Sequence, residues 1–156
     1  MLCGILLTTL LSNQHPVAKP PAKYSLVATD LHCESKVNPL VIGAASPRLG
    51  WALIGTGDAR ARQQNAYRIL VASTSKLLAR NKGDLWDSRK VLSAEQNQIG
   101  YGGVPLKSSQ TCFWKVQVWE GNTPGVWSKP GRWEMGILRP KDWVGRWIND
   151  GKENPK

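Results

Sequence analysis

The chain has 156 residues, 41% of them hydrophobic, with 15 glycines besides, and that apolar content excludes intrinsic disorder as the main reading. No apolar run reaches the roughly 18 residues that a membrane-spanning helix needs. Lys and Arg number 21 against 11 Asp and Glu, a formal net charge of +10, so a polyanionic partner has to be weighed. Between Arg60 and Lys90 eight basic residues face only Asp84 and Asp87. They are scattered among Tyr67, Ile69, Leu77 and Leu78 with no nucleic-acid-binding motif around them. A solvated basic face is therefore expected, and no specific nucleic-acid partner.

The chain opens on an apolar stretch, Leu2 to Leu11, interrupted only by Thr8 and Thr9. Its length suits the core of a secretory signal peptide and is too short for a membrane span. No basic residue precedes it, so two readings stand: a signal peptide with a clipped or misassigned start, which is favoured, or a fortuitous apolar leader. A secreted or periplasmic location follows from the first, with a cytoplasmic one left open by the second. Asn13 to Lys23, rich in Pro, Ala and Lys, reads as a flexible linker.

From Ser25 the apolar period becomes two. Val27, Thr29, Leu31 and Cys33 are expected on one face of a strand, with Leu26, Ala28, Asp30, His32 and Glu34 on the other. After Asn38-Pro39, Gly43 and Pro47, a second strand places Leu49, Trp51 and Leu53 on one face and stops at Gly55-Thr56-Gly57-Asp58. A third, from about Gln63 to Ser73, puts Tyr67, Ile69 and Val71 together and turns Arg68 away. Thr74 to Arg80 reads as one or two helical turns capped by Ser73 or Thr74. The turn Lys82-Gly83-Asp84 leads into Leu85-Trp86-Asp87, and short strands are expected at Lys90-Val91-Leu92 and from Gln98 to Tyr101.

The clearest strand is Thr111 to Trp119, with Cys112, Trp114, Val116 and Val118 on one face and Phe113, Lys115, Gln117 and Trp119 on the other. The turn cluster Gly121-Asn122-Thr123-Pro124-Gly125 returns the chain to Val126-Trp127-Ser128. Trp133 and Met135 alternate in a last strand. About seven short strands with frequent turns and no helical apolar stripe make this an all-β chain, an antiparallel two-sheet sandwich, with a closed barrel as the alternative. The expected core is Trp51, Tyr67, Ile69, Val71, Trp114, Val116 and Val118, with Trp51 and Trp114 facing each other across it. On that register Lys115 points outward, and its truncation should be nearly silent.

Chemistry-bearing residues are sparse. Cys3, Cys33 and Cys112 form no metal-binding spacing, and His15 and His32 are isolated, so no metal site and no cofactor are expected. Cys33 and Cys112 fall near strand ends that share a pole of the sandwich, which leaves a disulfide open. Glycoside hydrolysis needs two carboxyls held across a sugar, and most acids here fall in turns or on outward faces, so no catalytic residues are assigned. Asp84 and Asp87 read as turn caps beside Trp86. The Trp residues on outward faces or in loops, Trp86, Trp119 and Trp127, are the candidates for stacking on a sugar.

The arrangement resembles a fibronectin type III-like domain, in Trp51 on the second strand and in Trp114-x-Val116-x-Val118 followed by Gly125-x-Trp127-Ser128. A closer resemblance is to the N-terminal region of bacterial α-L-rhamnosidases. It is carried by Cys33-Glu34, Asn38-Pro39-Leu40 and Pro47-Arg48-Leu49-x-Trp51, then Gln64-x-Ala66-Tyr67-Arg68-Ile69-Leu70-Val71-Ala72-Ser73 and Gly83-Asp84-Leu85-Trp86-Asp87-Ser88. Tyr101-x-Gly103-x-Pro105-Leu106, Trp114-Lys115-Val116-x-Val118-Trp119, Trp133-Glu134-Met135-Gly136 and Asp142-Trp143-x-x-x-Trp147-Ile148 continue it. Where the family tends to carry an aromatic, this chain has Cys112, which cannot make a tyrosine-corner hydrogen bond.

The resemblance implies an immunoglobulin- or fibronectin-like sandwich at residues 24–138, after a leader and linker at 1–23 and before the start of a following β domain at 139–156. It also implies that catalysis belongs to a later (α/α)6 barrel, so this chain is expected to be a non-catalytic accessory fragment that stops before that barrel. Its partners would be the downstream domains of the same polypeptide, and rhamnose-containing glycans if the alternative holds, a self-standing carbohydrate-binding module. The tail, with Trp143 and Trp147 on one face and Val144 and Ile148 on the other if it is a strand, is expected to dock loosely on the sandwich.

Overall fold

The computed structural model describes residues 26–55 and 62–145. The leader, the linker and the Trp147-Ile148 end of the tail lie outside the described residues. Among the described residues eight strands form two antiparallel sheets. The first sheet has the order β1-β2-β5, from β1 (Leu26–Cys33), β2 (Arg48–Gly55) and β5 (Ile99–Gly100). The second is built on β6 (Thr111–Glu120), which pairs with β3 (Ala66–Ala72) along one edge and with β7 (Thr123–Pro124) and β8 (Gly131–Glu134) along the other. β4 (Trp86–Asp87) closes the far side of β3. The chain is thus an all-β sandwich.

Between the sheets lies one core. Trp51, Tyr67, Ile69, Val71, Trp114, Val116 and Val118 are all buried in it, together with Leu49, Trp133 and Met135. Its aromatic rings meet edge to face, the favourable sense for their quadrupoles. Trp86, Tyr101, Trp133 and Trp114 form one chain with centroids 5.4, 6.2 and 6.2 Å apart. Trp51 packs separately, 5.3 Å from Tyr67. The ring partner of Trp114 is therefore Trp133, and Trp51 meets Tyr67 rather than Trp114. The sequence pattern assigned both to the interior but carried no information on which rings would touch.

Strict alternation fails in β1. Leu26 and Ala28 are buried, and so are Leu31 and Cys33. The two pairs have opposite parity, and the reason is a bulge. The register with β2 shifts between Thr29 and His32, and Asp30 takes a positive φ of 49°. One extra residue in a left-handed conformation moves the inward face by one position, so the face expected to carry Val27 and Thr29 is the outer one at that end.

Lys115 departs further from expectation. It lies on the outer face of β6, yet it is only 7% exposed. Helix α1 (Ser75–Ala79), capped by Thr74 Oγ1 accepting the Leu77 N–H at 3.2 Å, seats Leu78 over Leu70 and Ala72 on that face. Asn81, just past the helix, accepts a hydrogen bond from Lys115 Nζ at 2.6 Å, and the Trp127 ring lies 4.9 Å from the same ammonium. A second small cluster, with Leu77, Phe113 and Trp127 at its margin, thus covers what the pattern read as a solvated face.

The return of the chain beside β6 is irregular between β7 and β8. Ser128 holds it there: its N–H donates to the Val116 carbonyl at 2.8 Å and its Oγ accepts the Val116 N–H at 3.0 Å. Gly125 passes so close to β1 that a Cβ would fall 2.2 Å from the Leu26 carbonyl oxygen, which only glycine avoids. Trp51 Nε1 donates to Gln64 Oε1 at 2.9 Å, and Gln64 Nε2 donates to the Glu95 carbonyl at 2.7 Å. No buried side-chain nitrogen or oxygen among the described residues lacks a partner.

Trp114→Ala is expected to cost about 3–5 kcal/mol, as for other buried large-to-small changes. Lys115→Ala, no longer silent, should cost about 1–2 kcal/mol through the lost cation–π contact. Urea unfolding midpoints of the two variants check both values, and a Lys115→Ala midpoint equal to wild type would mean that the contacts of its ammonium with Asn81 and Trp127 contribute nothing.

Candidate functional site

The three Trp residues that are candidates for sugar contact occupy separate places. Trp86 is half-buried, edge-on to Tyr101 and packed against the core. Trp119 is half-buried on the outer face of β6, with Lys90 Nζ 5.1 Å from its ring centre. Trp127 has Lys115 at 4.9 Å and Arg68 at 5.9 Å. No ring contact joins the three. Trp127 borders a groove, of about 390 Å³, along the free edge of β1, where Asp30, Asn38 and Lys129 add polar atoms to walls made largely by Val27, Leu31, Val37 and Ile54.

Five of the described carboxylates, Glu34, Asp84, Asp87, Glu120 and Asp142, are tied to partners. Glu34 accepts from the backbone N–H and the guanidinium of Arg48, at 2.7 and 2.8 Å. Asp87 takes a two-pronged contact from Arg68, at 2.9 and 2.7 Å, and caps the Arg89 N–H. Glu120 pairs with Arg62. Asp142 accepts from Ser108 Oγ at 2.5 Å and from Arg139 at 3.0 Å. Asp84 accepts both the N–H and the hydroxyl of Ser73, at 2.9 and 2.6 Å, and fixes the turn ahead of β4.

Hydrogen bonding to Arg48, Arg68 and Arg62 holds Glu34, Asp87 and Glu120 below the ordinary carboxylate range, and Ser108 followed by Arg139 does the same for Asp142. A glycosidase general acid needs the opposite, a carboxyl raised by an apolar setting or a like charge. Among the described residues no group of three or more His, Cys, Asp or Glu is placed to hold a metal ion. Asp58, Asp150 and Glu153 lie outside the described residues.

Cys33 and Cys112 are both buried and both free thiols. Burial pushes each up to about 12, with the charge of Glu34 adding at Cys33 and that of Asp84 at Cys112. Tyr101, whose hydroxyl meets the carbonyls of Leu85 and Val104 at 3.1 and 2.8 Å, is also pushed up to about 12 by burial. Alternation gave no sign of this Tyr contact, because both acceptors are backbone atoms of loops.

The chain leaves the sandwich at the pole formed by the end of β8 and the start of β6. Residues 39–42 lie beside 134–136, with Ile42 and Met135 bridged in parallel. Beyond them the chain makes a 3₁₀ turn, Pro140–Asp142. The turn is anchored by the contacts of Asp142 and by Ser108 Oγ accepting the Leu138 N–H at 2.9 Å. Beside it is a hollow of about 750 Å³ bordered by Ala45, Pro105, Leu106 and Leu138, with Ser108 and Asp142 as polar atoms. In the described residues the tail meets the sandwich through Asp142 and Leu138, whereas the Trp143 side chain is 67% exposed.

Comparison with known proteins gives one consistent result. The family model described as "Rha78A-like, N-terminal immunoglobulin domain" matches residues 28–139. An α-L-rhamnosidase of Streptomyces avermitilis is 36% identical over 126 residues, covering 80% of this chain and 12% of that protein. One from an Alteromonas species is 39% identical over 116 residues, 74% of this chain and 12% of that one. The crystal structure of the Streptomyces avermitilis enzyme complexed with L-rhamnose superposes with a TM-score of 0.72 over 80% of this chain and 12% of that chain. The structure of the Dictyoglumus thermophilum α-L-rhamnosidase gives 0.72 at 32% identity, over 79% of this chain and 14% of that chain. The chain thus spans about 12% of the length of the curated relatives it matches.

Stability should fall at both ends of the pH scale. The depressed carboxylates contribute stability that is complete above their ordinary values of 3.8 and 4.5 and is lost as pH falls through their lowered ones. The raised thiols and Tyr101 contribute stability that is complete below 9 and lost as pH rises toward 12. Melting temperatures across pH 2–12 check both limbs. In a Cys3→Ser background, Ellman's reagent at pH 8 should find no reactive thiol until denaturant is added, and rapid native labelling would contradict the burial of Cys33 and Cys112.

Proposed function

Because the chain belongs to the Rha78A-like family of N-terminal immunoglobulin domains, we propose that it serves as the non-catalytic N-terminal accessory domain of an α-L-rhamnosidase. Hydrolysis of terminal α-L-rhamnose would then be carried out elsewhere in such a polypeptide. The observation that carries this reading is the family match over 28–139 combined with coverage of only about 12% of each relative. The chemistry of the described residues supports it: four carboxyls are lowered by partners, whereas a general acid must be raised. What the domain offers instead is a rigid, fully satisfied core and a surface on which other domains can pack.

The reading as a carbohydrate-binding module has less support, because Trp86, Trp119 and Trp127 stand apart. Lysines reach over the rings of Trp119 and Trp127, and Tyr101 meets Trp86.

The purified chain, assayed on an aryl α-L-rhamnoside, is expected to give no turnover above buffer. Activity that follows the protein through purification would sink the accessory-domain reading. Titration with L-rhamnose to millimolar concentration should leave Trp fluorescence without a saturable change. A saturable change abolished by Trp127→Ala would favour the carbohydrate-binding reading instead.

A further inference from the structure

We propose that the pole from which residues 139–145 leave the sandwich is the face on which the following domain of an α-L-rhamnosidase polypeptide docks. This rests on the accessory-domain reading and adds to it the surface that does the work. Exposed large apolar side chains are concentrated there: Leu40, Val41, Ile137, Trp143 and Val144 are five of the ten such residues described. They belong to adjoining segments. Ile42 accepts the Gly136 N–H at 2.8 Å and donates to the Glu134 carbonyl at 2.9 Å, which sets Leu40 and Val41 alongside the strand that runs on to Ile137. An apolar concentration of this kind on one end of a soluble domain marks an interaction surface.

The patch is held in place. The turn before Trp143 is closed by the Trp143 N–H on the Pro140 carbonyl, and Asp142 is tied to Ser108 and Arg139. Trp143 and Val144 are thus presented from an anchored turn. The hollow between Pro105, Leu106 and Leu138 lies next to that turn and has room for side chains of an incoming surface. Exposed Lys107 borders it, and exposed Lys141 lies in the turn itself. The complementary face is therefore apolar at its centre and acidic at its rim, which supplies register and orientation.

The occupant follows from connectivity. The family match ends at residue 139, at this pole. The relatives carry most of their length outside the matched part, and the matched domain is their N-terminal one. In them the first polypeptide to reach the patch is the one that emerges from it. A tether of a few residues gives the next domain a local concentration far above that of any free second copy. Interfaces between domains in one chain are also of moderate size and more polar than obligate ones, which suits five apolar side chains with a basic rim.

The test splices this chain in place of the matching N-terminal segment of the Streptomyces avermitilis α-L-rhamnosidase. The chimera should resist heat inactivation better than the enzyme lacking that segment. Val41→Glu combined with Ile137→Glu, and separately Trp143→Ser, should speed heat inactivation of the chimera several-fold while leaving the melting temperature of the isolated 156-residue chain unchanged. Variant chimeras that inactivate at the wild-type rate would overturn the docking face and leave the accessory-domain reading standing. An equal loss in the isolated chain would overturn it too, by assigning these residues to the sandwich itself. So would a dimer of the isolated chain that the variants abolish. A wild-type chimera no more stable than the enzyme without the segment would overturn the accessory-domain reading, and the docking face with it.

Discussion

Most of the structure depends on the ten-residue alternation of β6. Its inward set, Cys112, Trp114, Val116 and Val118, is the floor of the core. Its two edges carry β3 on one side and β7 and β8 on the other, so one strand sets the register of the larger sheet. A slip of one residue would bring Phe113, Lys115 and Gln117 inward and leave a buried ammonium without its partners. Even on the correct face Lys115 is buried enough that desolvation holds it below its ordinary value. It is tolerated because Asn81 and the Trp127 ring replace water. The helix ahead of Asn81 is thus part of the same constraint: α1 shields the apolar outer residues Leu70 and Ala72, and Asn81 just past it supplies the side-chain Oδ1 that the lysine needs.

The same economy explains where the charges go. Arg48, Arg62 and Arg68 are spent on Glu34, Glu120 and Asp87. Each pair joins segments far apart in sequence: the end of β1 to the start of β2, the segment before β3 to the end of β6, and β3 to β4. The arginines serve as clips between strands because a planar guanidinium meets a carboxylate in two-pronged geometry. Such pairs lower a carboxyl, and a lowered carboxyl is a poor proton donor. The pairing that steadies this sandwich therefore leaves Glu34, Asp87 and Glu120 ill suited to the role of a raised general acid.

Where the signal was local, the sequence was legible. Period-two alternation identified β2, β3 and β6, the turn cluster after Glu120 marked the return toward β8, and a Thr cap opened α1 within one residue. What stayed hidden was set by tertiary contacts. The bulge at Asp30 is one residue in a left-handed conformation, and Asp in a strand gives no reliable sign of it. Burial of Lys115 depends on the helical segment that ends at Asn81, 34 residues away in sequence. The edge-to-face order of the rings depends on where β8 sets Trp133. The candidate sugar contacts were read from composition, which counts Trp residues without showing what covers them. The order of motifs was the most informative signal, because blocks that are each weak constrain the family strongly when all fall in sequence.

A sandwich must also deal with its unpaired edges, since a free strand edge is a template for association. Here β4, β5 and β7 are two residues each, too short to recruit a strand, and β8 is preceded by Pro130, which lacks a donor. The one long edge is β1, and its ladder is broken by the bulge between Thr29 and His32, with Asp30 facing solvent at the middle of it. Strand addition is thus discouraged along both sheets. Association is left to the poles, and at the exit pole the apolar side chains project from loops and a 3₁₀ turn rather than from a strand edge. A surface of that kind binds by burying side chains without a backbone ladder, so its partner is chosen by shape and apolar fit. That suits a neighbour with a fixed fold at the end of a short tether, because specificity then comes from the complementary face while strand addition at the free edges is discouraged.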